Sequence, residues 1–209
     1  ADQNGVFDDG WFASAVSMDR HQRVSAAMGY LDAATRARPN LTIRSNARVA
    51  GLTIRQGTAT GVALADGTTI DGREIVVAAG ALQSPAMLMR AGIGDAADLK
   101  RLGIEIAADR HGVGRNLQEH PSIALCAWIA PHARMGAHPR RHLQMAMRFS
   151  SGLPGMPRND MYVQVVAKSA WHPIGKRIGT LFGWINRPYS TGRVKLVSAS
   201  PADYPDVAF

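Results

Sequence analysis

The sequence predicts two parts in succession: an α/β portion carrying a β-meander (residues 1–121), then a portion built on an antiparallel sheet (residues 122–209). Three observations carry this. Residues 51–70 alternate apolar and polar positions and are punctuated by Gln56-Gly57 and Asp66-Gly67, which is hairpin turn chemistry. Ile75 to Ala79 is apolar without alternation and runs through Gly80 into an apolar helical stretch, the pattern of a strand covered on both faces, as in a parallel sheet. From residue 161 onward, MYVQVVAKSAW, TLFGWIN and GRVKLVS read as strands of an antiparallel sheet.

Each element follows in chain order. Residues 21–38 place Val24, Ala27, Met28, Leu31 and Ala34 at helical spacing and stop at Pro39-Asn40, which predicts an amphipathic helix laid on a sheet. Leu41 and Ile43 alternate with polar residues and predict a strand before the meander. After the apolar run at 75–79, Ser84 is a candidate N-cap, Pro85 suits a first helical position and Gly92 suits a left-handed C-cap. Met87, Leu88 and Ala91 form the expected buried stripe of that helix. A glycine at the carboxyl end of a parallel strand, followed by a helix N-terminus, is where open α/β sheets place ligands. It is also an ordinary turn, and local chemistry leaves both readings open.

Asp95, Ala96, Leu99 and Leu102 predict a second short helix, GIEIA (103–107) a short strand, and GVGRN (112–116) a Gly-rich loop. That loop lacks the spacing and the Lys-Ser/Thr of a phosphate-binding P-loop. His120-Pro121 closes it in a structural role. SIALCAWIA (122–130) reads as a strand, and HLQMAMRF (142–149) as a helix with Leu143 and Met147 inward.

The bulk properties narrow the function. A chain of 209 residues, 46% hydrophobic, is long enough for one large or two small cores. No run approaches the ~20 apolar residues of a membrane span, and no signal peptide is visible. The chain starts ADQNG and ends PDVAF, so a piece of a longer protein is expected, with the remaining chain as its partner. The single cysteine, Cys126, rules out an internal disulfide and points to a reducing, cytoplasmic setting. Inside IALCAWIA it reads as a small core residue. The net charge of +8 raises nucleic acid. Yet the arginines are scattered, and the denser groups at 132–142 and 175–177 lack interleaved aromatics. A basic surface that attracts an anionic cofactor is the better reading, and no nucleic-acid partner is expected.

Several stretches in fixed order resemble one family: VVAAGALQSPAMLMRAGIG, LKRLGI, GVGRNLQEHP and STGRVKLVSASP. They are similar to the glucose–methanol–choline (GMC) flavin-dependent oxidoreductases, on the choline dehydrogenase-like side, across essentially the whole chain. GALQSPAMLMRAGIG is similar to one of the family's signature patterns. It departs at Ala91, where Ser is usual, and Glu119 stands where Asp is common. The resemblance implies FAD as cofactor and oxidation of a small-molecule alcohol to an aldehyde or ketone by hydride transfer to the flavin. It also implies that residues 1–121 are part of a Rossmann-like FAD-binding domain and 122–209 part of a substrate-binding domain. By the same resemblance Val49, on the Asn46–Val49 segment, lies along the adenine. Ala79 and Gly80 approach the cofactor where only small residues fit, and Asn116 to His120 line the flavin side.

Two family features find no counterpart here. There is no GxGxxG, and none of His21, His111, His120, His132, His138, His142 and His172 sits in the family's catalytic motif. No catalytic residue and no metal ligand is therefore assigned. Two other functions compete. The β part, with Trp128, Tyr162, Trp171, Trp184 and Tyr189, offers the residue types of an aromatic cage for a quaternary ammonium, which would make it a non-catalytic binding module. The net charge keeps a basic nucleic-acid-binding domain as the weakest third.

Overall fold

A computed structural model describes residues 3, 5, 8–19, 22–136 and 142–209. His21 and residues 137–141 of the basic run, His138 among them, thus lie outside the described residues. In chain order the elements are β1 (Gly10–Ala13), α1 (Ala26–Tyr30), α2 (Ala33–Arg36), β2 (Val49–Arg55), β3 (Thr58–Leu64) and β4 (Thr69–Asp71). Then come α3 (Gly80–Arg90), β5 (Ile93–Gly94), α4 (Ala96–Arg101), β6 (Ala108–Asp109), β7 (Arg115–Leu117) and β8 (Ser122–Trp128). The series ends with β9 (Leu143–Phe149), β10 (Met161–Val166), β11 (Ile178–Ile185), β12 (Gly192–Lys195) and β13 (Asp206–Ala208).

These elements form two compact units, each drawn from two chain segments: Ala1–Thr42 with His120–Pro188, and Ile43–Glu119 with Tyr189–Phe209. The chain crosses between the units at 42–43, 119–120 and 188–189.

The first unit is a five-stranded antiparallel sheet in the order β1-β9-β10-β11-β8. Its register sets two faces. One carries Phe12, Ala146 and Tyr162, the buried cluster against which Trp184 packs. The other carries Trp11, Met145, Leu181, Ile123 and Leu125, all more than a third exposed. Residues 143–149 are a strand and not the expected helix, because β1 and β10 pair with them on both sides. The alternation of Met145 and Met147 against Ala146 and Arg148 is period two, and pairing decides between the two readings. Cys126 is exposed and not a core residue: β8 is an edge strand whose seven residues all face solvent. Its thiol lies 3.5 Å from Thr180 Oγ1. The helix expected over 21–38 is two short ones with no buried residue. Ser25 accepts the Met28 N–H at 3.2 Å, and Asp32 accepts the Thr35 N–H at 2.8 Å. Each side chain starts its own helix, and the extended backbone at Asp32 separates the two.

In the second unit the meander forms as expected, in the order β2-β3-β4. Gln56 and Gly57 both take positive φ, 50° and 74°, the geometry a two-residue hairpin needs. A second sheet runs β13-β12-β7, and β5 with β6 is the one parallel pair among the described residues. α3 lies against β2, β5 and β12. The core joins Met89 of α3, Leu99 of α4 and Val194 of β12, with Ile104, Ile106, Val113, Leu117 and Leu196 around them. Gly92 ends α3 at φ +80°, and a Cβ there would meet the Glu105 carbonyl; the left-handed C-cap is therefore obligatory glycine.

Four expectations shift in this unit. Residues 41–43 are not a strand, and Ile43 is exposed. The Ile75–Ala79 run is not a strand either, and Val76 is 82% exposed. A parallel strand needs neighbours for its N–H and C=O groups, and no described strand lies beside this one. The short strand is Ala108–Asp109, beyond GIEIA, whose Ile104 and Ile106 instead enter the core. Finally, α3 starts at Gly80, four residues before Ser84. Ser84 Oγ accepts the Ala79 N–H at 3.0 Å, and Pro85 lies within the helix. The buried positions are accordingly Ala86 and Met89. Among the described residues, no helix is long and apolar enough to cross a membrane.

Candidate functional site

A cavity of about 580 Å³ opens in the second unit between the start of β2, the first turns of α3 and the segment 201–204. Arg48, Val49, Ala79, Met87 and Arg90 line it together with Pro201–Tyr204. The fold brings Val49 and Ala79 into one wall because α3 packs on β2. Gly80 follows Ala79 at φ +84°. A Cβ on Gly80 would meet no atom within 4 Å, so backbone conformation is what requires glycine here. That differs from the close approach expected of it.

Two arginines converge on the far wall. Arg48 donates to the Pro201 carbonyl at 3.1 Å, and Arg90 to the Asp203 carbonyl at 2.7 Å. Arg90 Nε is buried and has no hydrogen-bond partner. Burial, and then the neighbouring Arg48 charge, lower the pKa of Arg90, while Asp203 draws it back up. A positive wall, an orphaned buried donor and a small residue at the rim together fit an anionic ligand with hydrogen-bond acceptors. They fit one edge of a nucleotide cofactor such as FAD.

The other expected residues lie elsewhere. Asn116 is exposed on β7 at φ +57°, and it does not line this cavity. His120 belongs to the other unit. Reasoning from sequence missed Arg90 and residues 201–204. Arg90 sits inside the quoted motif GALQSPAMLMRAGIG, but its partner Asp203 is 113 residues away.

A second polar cluster sits beside the core. Asp95 caps α4, accepting the Ala97 and Asp98 N–H groups at 3.1 and 3.3 Å. It also meets His111 Nδ1 at 3.0 Å and Arg115 at 3.2 Å. The His111 contact first, then the backbone donor of Asp98, lower its pKa from 3.8 to about 2. His111 is shifted upward by the same contact. This cluster ties α4 to the β6–β7 arm.

The five aromatic residues considered for a cation cage are not brought together. Tyr162 and Trp184 stack on each other, with centroids 4.4 Å apart. The Arg134 and Arg177 guanidinium groups lie 6.0 and 5.8 Å from the Trp128 ring. Lys168 Nζ stands 3.8 Å from the Trp171 centroid. Tyr189 belongs to the other unit. Two of these rings, Trp128 and Trp171, therefore already face the protein's own cations.

The family profile described as GMC oxidoreductase matches residues 2–122. The 5-(hydroxymethyl)furfural oxidase of Methylovorus sp. (strain MP688) is 44% identical over 215 residues, covering 100% of this chain and 39% of that protein. The oxygen-dependent choline dehydrogenase of Sinorhizobium fredii is 44% identical over 124 residues, covering 57% of this chain and 22% of that protein. Among solved structures, pyridoxine 4-oxidase from Mesorbium loti superposes with a TM-score of 0.80 at 25% identity, over 96% of this chain and 41% of that one. The chain thus spans about two fifths of the relatives it matches best along its length.

Proposed function

Because this chain belongs to the GMC oxidoreductase family, whose members are FAD-binding flavoproteins, we propose that it forms part of an FAD-dependent enzyme that oxidises an alcohol to an aldehyde or ketone. The unit containing α3 is the cofactor side, and the five-stranded sheet belongs to the substrate side. In this reading Val49 lies along the adenine and Ala79 and Gly80 approach the cofactor, with Arg48 and Arg90 as donors. Bound flavin supplies the hydride acceptor. This chain's own residues hold the far end of that cofactor and assign no proton transfer. Asn116 and His120 remain candidates for the flavin side. The carrying observation is the cavity that joins Val49 and Ala79 beside the orphaned Arg90 Nε.

The similarity to a hydroxymethylfurfural oxidase runs the full chain, whereas the similarity to choline dehydrogenases covers 57% of it. That supports an uncharged primary alcohol on a small ring over a quaternary ammonium substrate. The guanidinium and ammonium groups against Trp128 and Trp171 point the same way. A cytoplasmic setting remains the reading of the single cysteine.

The test is anaerobic mixing of the intact protein with 5-(hydroxymethyl)furfural or with choline while the flavin absorbance is followed. The proposal expects bleaching by the furan alcohol and little or none by choline. A colourless protein that FAD does not reconstitute would remove the oxidoreductase reading. Bleaching by choline alone would remove the substrate preference.

A further inference from the structure

The sheet unit, which the proposed function assigns to the substrate side without naming a residue of it, holds a second cavity, of about 690 Å³. Its floor is set by register. Tyr162 on β10 is directly opposite Arg148 on β9 and Trp184 on β11, so the three side chains stand in one row on one face, about 5 Å apart strand to strand. Tyr162 and Trp184 stack at 4.4 Å with their planes 27° apart. Asn186 Oδ1 accepts the indole N–H of Trp184 at 2.8 Å and fixes that ring. Arg148 is buried, donates to the Gln3 carbonyl at 3.2 Å and lies 5.1 Å from the Phe12 ring.

The rim adds charge. Arg158 and Arg187 both line the cavity and both are exposed. Arg158 approaches Asp8 at 3.7 Å, with both side chains at least 70% exposed, a pairing of little energetic weight. Among the described lining residues there are three arginines and no carboxylate. Taken together, the cavity has a flat aromatic wall and a cluster of planar, bidentate donors. Guanidinium forks match a carboxylate edge to edge, and the indole and phenol rings suit an offset-stacked ring. The volume is that of a small-molecule site. A cationic ligand is repelled by the same three charges.

We propose that this cavity binds a small planar carboxylate, its ring on the Trp184–Tyr162 stack and its carboxylate toward Arg158 and Arg187, with the buried Arg148 adding positive potential from below. The proposal does not depend on the FAD reading, since binding alone tests it.

The experiment is calorimetric titration of the intact protein with benzoate, with neutral benzamide and with inorganic phosphate, at low salt and again at raised salt. Benzoate is expected to bind with a Kd of ~1 mM or tighter, weakening as salt rises. Benzamide and phosphate are each expected at least tenfold weaker. The double variant Arg158→Gln/Arg187→Gln is expected to lose at least tenfold in benzoate affinity. Both side chains are exposed, so the circular dichroism spectrum should not change. Arg187→Gln alone is the second variant, with a loss of threefold or more expected. Absent benzoate binding, benzamide or phosphate binding as tightly as benzoate, or an unchanged benzoate affinity in both variants would each overturn the proposal.

Discussion

Replacing Arg90 with Met separates its contribution to the fold from its contribution to the cofactor. In the structure the guanidinium makes one hydrogen bond, to the Asp203 carbonyl at 2.7 Å, while its buried Nε has no partner. A hydrogen bond from a charged donor contributes about 1.5–3 kcal/mol, and a buried unsatisfied donor costs about 1–3 kcal/mol. The two effects nearly cancel, and Met retains the apolar stem that packs along the cavity wall. Stability without cofactor should therefore change by no more than ~1 kcal/mol. If FAD occupies the cavity as proposed, the Arg90 guanidinium gains one acceptor from the cofactor. Losing one charge-assisted bond at about 1.5–3 kcal/mol weakens FAD binding by about 10- to 150-fold. The assay pairs urea denaturation of the apo-protein with fluorescence titration of FAD into wild type and Arg90→Met. Equal FAD affinity in both proteins, or a loss of apo-stability above ~3 kcal/mol, would refute the reasoning.

Other perturbations have defined outcomes. Gly92→Ala places a Cβ against the Glu105 carbonyl at φ +80°; a loss of more than ~1 kcal/mol in urea denaturation is expected, and a neutral result would contradict the C-cap assignment. The Asp95–His111 contact makes stability depend on pH in two windows. His111 has a raised pKa in the fold, so its contribution is complete below its unfolded value and fades as pH rises through the folded one. Asp95 has a lowered pKa, about 2 against 3.8, so its contribution is present above 3.8 and fades as pH falls toward 2. Denaturation midpoints measured across pH should show both slopes. His111→Gln should flatten the upper one, and an unchanged upper slope in that variant would show that the contact adds no stability.

Local chemistry made some of this structure legible and tertiary pairing hid the rest. The meander was readable because period-two alternation and Gln56-Gly57 act within a few residues. Gly92 was readable because a cap needs only its own turn. Val49 and Ala79 came separately from the motif resemblance, and the structure lines one cavity with both. The Ile75–Ala79 run misled because an apolar segment signals that something covers it, not that the cover lies among the described residues. Residues 142–149 misled because Leu143 and Met147 satisfy helical spacing while Leu143, Met145 and Met147 satisfy strand spacing; β1 and β10 decide. Arg90 was invisible as a site residue because its partner arrives from 113 residues away. The Arg148–Tyr162–Trp184 row exists only once three strands are in register.

Photolabelling tests the central claim most directly. The intact protein is loaded with FAD carrying an azido group on the adenine, irradiated and digested, and the labelled peptides are sequenced. If the cavity beside α3 holds the adenine end, the label appears on peptides containing residues 48–50, 83–90 or 201–204, and unmodified FAD competes it away. Label confined to peptides outside these segments, in a protein that holds FAD, would contradict the placement.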